Sequence, residues 1–349
     1  MILKSSKITV ISIILACISI SAFCGGSQES RPQEASYTGT EGRITVYLSG
    51  PAVMLDSLEK TFEKDRGDVL EFVHMGCGPL RQRVWAEMES GAINADVFWG
   101  SDPLIYEALE SRGALRAYKP QGFENLNPRY QIDAAYTLVN ERYGVVIYNK
   151  DKITEAPSSF ADLLDGKYSG DLAHADPSLS STATALVAGL WNLKPEGGTF
   201  HKALAANGLF LTKKNSDVPS KIQEGEFAAG IAPHDAVLRL QKKAKKEGYP
   251  TPLAICWPEE GCLAIVRPIA ISMNPARPEV NERLAEEFVD FMISEKAQKI
   301  TSKFSFVSLL NGAEKPKGIP KNIKVITPDW VDISKVQEKI NADFKMFFN

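Results

Sequence analysis

The stretch YGVVIYN at residues 143–149 decides the fold, together with a second β-branched run, CLAIVRPIAISM, at residues 262–273. Both runs are mostly apolar, which is typical of strands that are buried on both faces. Neither run has a helix of its own between turns. We therefore predict two long strands that cross between two lobes and join them.

Strand and helix patterns alternate around these two runs. Strands are predicted at residues 43–48, 69–74, 95–99, 170–176 and 227–232, and helices after Pro51, Pro79, Ser181, residue 232 and Pro278. Such alternation indicates an α/β fold with a mostly parallel sheet covered on both faces. We predict lobe 1 at residues 42–147 with 264–300, lobe 2 at 148–263, and an irregular C-terminal tail at 301–349 that is assigned to neither lobe.

The N-terminus has the pattern of an export signal. Lys4 and Lys7 are followed by an apolar stretch at residues 8–23 that is short for a membrane span. We predict a signal peptide at residues 1–23, a lipidated Cys24 and a flexible tether at 24–41. The protein is then periplasmic and held to a bacterial membrane by lipid, with exposure at the cell surface left open.

Two alternatives for the N-terminus stay open. Phe23 is bulkier than the residue that a lipoprotein cleavage site prefers before its cysteine. The sequence before Cys17 fits such a site better, although cleavage there would leave the apolar residues 18–23 at the N-terminus of the mature protein. An uncleaved N-terminal anchor is the other alternative. Each of them still places the rest of the chain outside the cytoplasm.

Net charge bears on which partners the protein can bind, and the cysteines bear on whether it forms a disulfide. The formal net charge of -3 disfavours nucleic acid and electrostatic binding to anionic lipid. Cys256 and Cys262 are spaced to close a small loop, and an exported protein can form that disulfide. Cys77 would then be an unpaired thiol. The spacing alone does not establish the bridge.

Three predicted helix starts are candidate anion sites. They are Ser49-Gly50-Pro51, Gly76-Cys77-Gly78-Pro79 and residues 178–182, and each follows a predicted strand. Free N–H groups and the helix dipole favour an anion there, and ligands of open α/β sheets bind outside the carboxyl ends of the strands. Ordinary helix capping is the alternative. The candidates for binding a phosphate or carboxylate are Ser49, Gly76, Cys77, Gly78, Ser101, Ser180, Ser181 and Thr182.

A second candidate group combines His234, Asp235 and Glu260. The first two follow a predicted strand, and Glu260 comes just before the second crossing strand. Carboxylates accept hydrogen bonds from sugar hydroxyls, and histidine can donate or accept. Taken separately, Asp235 could be a helix N-cap worth about 1 kcal/mol, and His234 could be a surface histidine.

Several segments together resemble the periplasmic substrate-binding proteins of ATP-binding-cassette (ABC) importers, in the ferric-ion-binding subgroup. They are GCGPL at 76–80, NADVFWG at 94–100, YGVVIYN at 143–149, residues 176–182, QEGEFAAG at 223–230 and EEFVDFMIS at 286–294. The resemblance implies a two-lobed periplasmic-binding-protein fold of class II type. It also implies a monomer that serves a permease and an ATPase, without catalysis or a cofactor.

The resemblance also bears on the solute. The family includes binders of iron, thiamine, phosphonates, polyols and sugar phosphates, and its ferric binders commonly use tyrosine ligands in the second lobe. No tyrosine lies between Tyr168 and Tyr249, which disfavours iron. His234 and Asp235 followed by Glu260 resemble the hexose-phosphate branch, although Glu259 could be the matching residue. We therefore predict a receptor for a hexose phosphate.

Two other function classes remain as alternatives. A metal receptor could use His74, His174, His234 and Glu260, because imidazole with carboxylate suits zinc. An exported hydrolase could use Cys77 or Ser181 with His234, but no nucleophile-elbow motif is present.

Overall fold

The computed structural model describes residues 37–193 and 198–348. The predicted signal peptide, Cys17, Cys24 and the tether up to residue 36 lie outside the described residues. Within them the strands belong to one sheet: β1 Ile44–Leu48, β2 Leu70–His74, β3 Val97–Trp99, β4 Leu115–Arg116, β5 Thr137–Asn149, β6 Leu172–Ala175, β7 Phe210–Thr212, β8 Ala229–Pro233, β9 Leu253–Cys256, β10 Cys262–Ser272, β11 Val307–Ser308 and β12 Val325–Ile326.

Helices fill most of the connections between these strands. They are α1 Leu55–Glu63, α2 Cys77–Glu89, α3 Pro103–Glu110, α4 Ser181–Leu193, α5 Thr199–Ala206, α6 Asp217–Gln223, α7 His234–Glu247, α8 Glu279–Ile293, α9 Glu295–Lys303 and α10 Trp330–Phe347. None of the helices in the described residues is both long and apolar enough to span a membrane.

The sheet has two parallel ends joined by an antiparallel centre. Its main path runs β2-β1-β3-β10-β5-β8-β6-β7. Strands β1 to β3 pair in parallel, as do β6 to β8. In the centre β10 pairs antiparallel with β3 and β5, and β5 pairs antiparallel with β8. We call the two ends the β1–β3 half and the β6–β8 half; the predicted α/β architecture with two crossing strands is confirmed.

Burial explains why β5 and β10 can occupy the centre. All 11 residues of β10 are buried, and of the 13 in β5 only Tyr148 is partly exposed. Helices cover both faces, and α1 packs on α8 through an edge-to-face contact of Phe62 and Phe288, whose ring centroids are 5.2 Å apart. The two long strands thus connect the halves through the buried interior of the sheet.

Two predicted helix starts differ from the structure. The first helix begins at Leu55 instead of Pro51, so residues 50–54 form a loop. The second begins at Cys77, two residues before Pro79, with Gly76 as its extended N-cap. Proline tolerates the first turn of a helix but does not fix its first residue. The start of α4 at Ser181 is confirmed.

The prediction of an irregular C-terminal tail is wrong. Helix α10 buries Trp330, Ile333, Ile340 and Phe344, which lie on one face at helical spacing. Asp329 caps it by accepting a 3.0 Å hydrogen bond from the N–H of Asp332. The helix packs against α3 and also against α4 and α5, so it contacts elements of both halves.

Cys256 and Cys262 are buried free thiols in the structure, and no disulfide joins them. Burial, with smaller contributions from nearby charges, raises the pKa of each thiol to about 12. Both side chains therefore act as small apolar groups of the core at neutral pH.

Candidate functional site

A cavity of about 450 Å³ lies between the β1–β3 half and the β6–β8 half. On one side it is lined by the loop after β1 and by the end of β2. On the other side it is lined by the start of α4, the loop after β7 and the first turns of α7. Its lining residues are Gly50, Pro51, Ala52, Val53, His74, Met75, Gly76, Arg142, Leu179, Ser180, Ser181, Thr182, Lys213, Lys214, Asn215, Ser216, Ala236 and Arg239.

The lining of this cavity is strongly cationic. Arg142 of β5, Arg239 of α7 and the adjacent Lys213 and Lys214 after β7 all contribute to it. The lining contains no aspartate or glutamate among the residues that the structure describes. Four cationic groups facing one cavity create a positive potential that attracts anions, and low-dielectric walls strengthen it.

The two arginines are held in place by one buried carboxylate. Asp235 is the second residue of α7 and is fully buried. Its Oδ1 accepts a 2.7 Å hydrogen bond from Nε of Arg142, and its Oδ2 pairs with Arg239 one helical turn away. Burial opposes ionisation of Asp235, but the two guanidinium groups outweigh it and lower the pKa of the carboxyl to about 2.

The N-terminus of α4 adds polar groups to the same wall. Ser181 and Thr182 form its first turn, and Nη1 of Arg142 donates a 3.1 Å hydrogen bond to Oγ1 of Thr182. Ser180 accepts a hydrogen bond from the amide of Asn215. The positive end of the helix dipole thus points toward the cationic cluster, which reinforces its preference for an anion.

The opposite wall has no lysine, arginine, aspartate or glutamate among its described residues, and it lies close to this one. Nε2 of His74 is 2.7 Å from the carbonyl oxygen of Gly50. At the rim a Cβ on Gly76 would lie 3.5 Å from the carbonyl oxygen of Leu179, and one on Gly78 would lie 3.2 Å from that of Ser178. The backbones of the two halves therefore approach closely beside the cavity.

The structure brings only some of the predicted phosphate-binding residues to the cavity. Gly76, Ser180, Ser181 and Thr182 line it. Ser49 and Ser101 are buried behind the loop at Gly50, and Gly78 lines a neighbouring cavity beside α10. Cys77 is the first residue of α2, and its side chain is outside the described part of the chain.

The structure does not gather His234, Asp235 and Glu260 at the cavity. His234 is fully buried; Nδ1 accepts a 2.9 Å hydrogen bond from the N–H of Tyr143, and Nε2 lies 2.9 Å from the carbonyl oxygen of Ser305. Burial lowers the pKa of its imidazole to about 4. Glu260 is exposed on a turn and accepts a 2.8 Å hydrogen bond from the N–H of Phe160.

The histidines of the alternative metal site are also separate. His174 is buried, with Nδ1 2.6 Å from the carbonyl oxygen of Ala175, whereas His74 is exposed at the cavity. Residues 37–193 and 198–348 hold no group of three or more histidine, cysteine, aspartate or glutamate side chains that could bind a metal.

Comparison with known proteins identifies the family. The family model for bacterial extracellular solute-binding proteins matches residues 93–336. The chain belongs to this family. It is a periplasmic solute-binding protein of the ABC-importer type, in which the binding protein delivers its solute to a permease and an ATPase.

Relatives of this solute-binding protein differ in their ligands. A Salmonella paratyphi A protein named for 2-aminoethylphosphonate binding is 25% identical over 262 residues, 70% of each chain. The fold matches AfuA of Actinobacillus pleuropneumoniae with fructose 6-phosphate bound, at 22% identity and a TM-score of 0.76 over 88% of this chain and 99% of that one. It also matches iron-bound HitA of Pseudomonas aeruginosa, at 21% identity and a TM-score of 0.73 over 86% and 99%.

Sequence reasoning missed the four cations of this solute-binding protein's cavity. Arg239 lies four residues after Asp235, a spacing that pairs side chains on a helix. Lys213 and Lys214 directly follow a short strand, where ligands of α/β sheets bind. These two signals could have found them.

Proposed function

We propose that this solute-binding protein captures a small organic phosphate in the cavity between the two halves and delivers it to its permease. One observation carries the proposal: Arg142, Lys213, Lys214 and Arg239 line a single cavity together with the N-terminus of α4. A phosphate group offers several acceptor oxygens and up to two negative charges, which match several cationic donors.

Within this class we propose a hexose phosphate. The cavity of about 450 Å³ falls in the size range of small-molecule sites. Ser180, Asn215 and Ser216 supply neutral groups for sugar hydroxyls beside the cations. A phosphonate such as 2-aminoethylphosphonate presents a similar head group, so the neutral part of the cavity has to distinguish the two.

The same charge distribution disfavours the cationic solutes of the family. Thiamine or a bare metal ion would meet four cationic groups, of whose charges Asp235 compensates only one, and no aspartate or glutamate among the described residues that line the cavity. Like charges in a partly desolvated cavity repel strongly. The electrostatics therefore support an anionic solute.

We further propose that the protein binds without covalent chemistry and closes around its solute by bending at β5 and β10. The proposed lobes are residues 42–147 with 264–300 and residues 148–263. Lipidation at Cys24 would hold the monomer near its permease. Family membership supports the transport role, and the paired halves of the sheet support the hinge.

Isothermal titration calorimetry tests the proposal. The full chain is titrated with glucose 6-phosphate, 2-aminoethylphosphonate, inorganic phosphate, glucose and thiamine at one ionic strength. We expect saturable binding of glucose 6-phosphate and none of glucose or thiamine. Saturable binding of thiamine or glucose, without binding of any phosphate or phosphonate, would contradict the proposal.

A further inference from the structure

Among the residues that the structure describes, three arginine side chains are almost completely excluded from solvent, and one of them has no carboxylate partner. Arg142 pairs with Asp235, and Arg277 pairs with Asp96 and Glu282. Arg267 of β10 is fully buried and forms no ion pair with any residue in the described ranges. A guanidinium stays protonated in proteins, so Arg267 carries a buried positive charge with no carboxylate in direct contact, and Asp235 acts on it only as a more distant charge.

Arg267 is surrounded by aromatic rings and a hydroxyl. Its guanidinium carbon lies 4.2 Å from the ring centroid of Trp99 and 5.0 Å from that of Phe306. Nε donates a 3.0 Å hydrogen bond to Oγ of Ser101, and Nη1 lies 3.7 Å from the sulfur of Met54. Ring faces and a sulfur compensate a buried cation only weakly.

Other buried polar atoms near Arg267 also lack partners in the described chain. Nη2 of Arg267 has none, nor does Nε1 of Trp99 beneath it. Asn140 lies directly opposite Arg267 in the antiparallel register of β5 and β10, and neither its amide nitrogen nor its amide oxygen is paired. Residues opposite each other in such a pair share one face of the sheet. Most of these unpaired atoms are donors, which suits an anion.

Gly50 lies between this cluster and the cavity in the sense that it lines the cavity and also adjoins Ser101 and Arg267. Gly50 lines the cavity and has φ of +105°, a conformation that favours glycine. A Cβ on Gly50 would lie 2.5 Å from Oγ of Ser101 and 3.9 Å from Nη2 of Arg267. The unpaired end of Arg267 and Oγ of Ser101 therefore lie on the side of Gly50 to which a side chain would point.

We propose that Arg267 is the centre of a second, inner anion subsite that takes a small anionic group behind Gly50. Trp99 and Asn140 supply further N–H donors to it. The group is either a free halide ion or an anionic end of the transported solute, and the second source rests on the proposed function. An anion there would compensate the buried charge and satisfy donors that are costly to leave unpaired.

Bromide tests the subsite, because it quenches tryptophan fluorescence on contact and Trp99 lies against Arg267. The full chain is titrated with sodium bromide, with sodium gluconate holding the ionic strength constant. We expect a saturable component of quenching in the wild type that disappears in Trp99→Phe and Arg267→Met. Arg277→Met is the matched control, since it removes a buried but ion-paired arginine, and it keeps the component.

A second titration distinguishes the two sources of the anion. Saturating glucose 6-phosphate abolishes the bromide component if the solute occupies the subsite and leaves it unchanged if a free halide does; both results support the subsite. Strictly linear quenching of the wild type overturns it, even if Arg267→Met fails to fold. Saturable bromide quenching without any calorimetric binding of phosphates or phosphonates would contradict the proposed function and retain the subsite.

Discussion

Nε of Arg142 donates a 2.7 Å hydrogen bond to Oδ1 of Asp235 across the boundary between β5 and α7. Both side chains are buried, with 2% and 0% of their surface exposed. The contact fixes one wall of the cavity, because the same guanidinium reaches Thr182 of α4. A structural ion pair and the candidate anion site therefore share one residue.

Replacing Asp235 tests the structural part of this arrangement. Asp235→Asn leaves two guanidinium groups without their counter-charge, one of them fully buried. We expect the free energy of unfolding to fall by about 3 kcal/mol, as when one partner of a buried ion pair is removed. Urea denaturation at pH 7 measures it. Asp343→Asn breaks the more exposed pair with Lys339 and should change stability by at most about 0.5 kcal/mol; equal losses in the two variants would contradict the prediction.

The two lysines test the anion site without disturbing the core. Lys213 and Lys214 are both exposed at the cavity, so the double change to glutamine should leave the fold intact. We expect the Kd for glucose 6-phosphate to rise by about tenfold, since charge-assisted hydrogen bonds are lost. The loss should shrink at high salt.

A matched control lies on α7. Lys242 and Lys243 are also adjacent and exposed, and changing both to glutamine alters the net charge equally. Calorimetry should show almost unchanged affinity in that variant. An equal loss of affinity in both double variants would mean that long-range attraction, instead of local contact, explains the effect.

The sequence predicted the long strands and the start of α4 because their signals are local. A continuous β-branched run specifies a strand that is buried on both faces, as β10 is. A hydroxyl-rich segment at the carboxyl end of a strand marked the start of α4 at Ser181. These features depend on neighbours within a few residues, so one sequence is enough to predict them.

The cationic wall depends on contacts between distant residues. Strand β5 begins at Thr137, but the polar residues Asn140, Glu141 and Arg142 interrupt its apolar pattern. The sequence therefore predicted only its second half, from Tyr143. Arg142 can be buried in that strand because Asp235 compensates its charge. Asp235 lies 93 residues further along the chain. No local pattern contains that information. The trio of His234, Asp235 and Glu260 failed to assemble for the same reason.

Gly78 tests closure between the halves. A Cβ there would lie 3.2 Å from the carbonyl oxygen of Ser178, so the branched side chain of Gly78→Val should keep the two backbones apart. We expect roughly tenfold weaker binding of glucose 6-phosphate, because the closed state becomes less populated. Ala86→Val, on an exposed position of the same helix, is the control. Calorimetry and small-angle scattering indistinguishable from the wild type would exclude this contact as part of closure.

Buried neutral histidines should make the protein sensitive to acid. Burial lowers the pKa of His174 to about 4, of His201 to about 3 and of His234 to about 4, all below the ordinary 6.5. Below pH 6.5 these three histidines bind protons in the unfolded chain but stay neutral in the folded protein. Above pH 6.5 these histidines therefore do not affect the free energy of unfolding. As pH falls from 6.5 toward 4, each of them lowers the free energy of unfolding by about 1.4 kcal/mol per pH unit.

Substituting His201 and His234 separately distinguishes the effect of burying a histidine on stability from the effect of its hydrogen bonds. Neither ring nitrogen of His201 has a partner in the described chain, and its ring stacks on Trp191 at 5.4 Å. His201→Phe should therefore raise stability, more at pH 5 than at pH 7.5. His234→Phe should also flatten the pH dependence, yet lower stability at pH 7.5 by about 2 kcal/mol, because the N–H of Tyr143 and the carbonyl of Ser305 lose their partner. Urea denaturation at both pH values measures these effects, and a His201→Phe protein that keeps the wild-type pH dependence would show that His201 does not contribute to it.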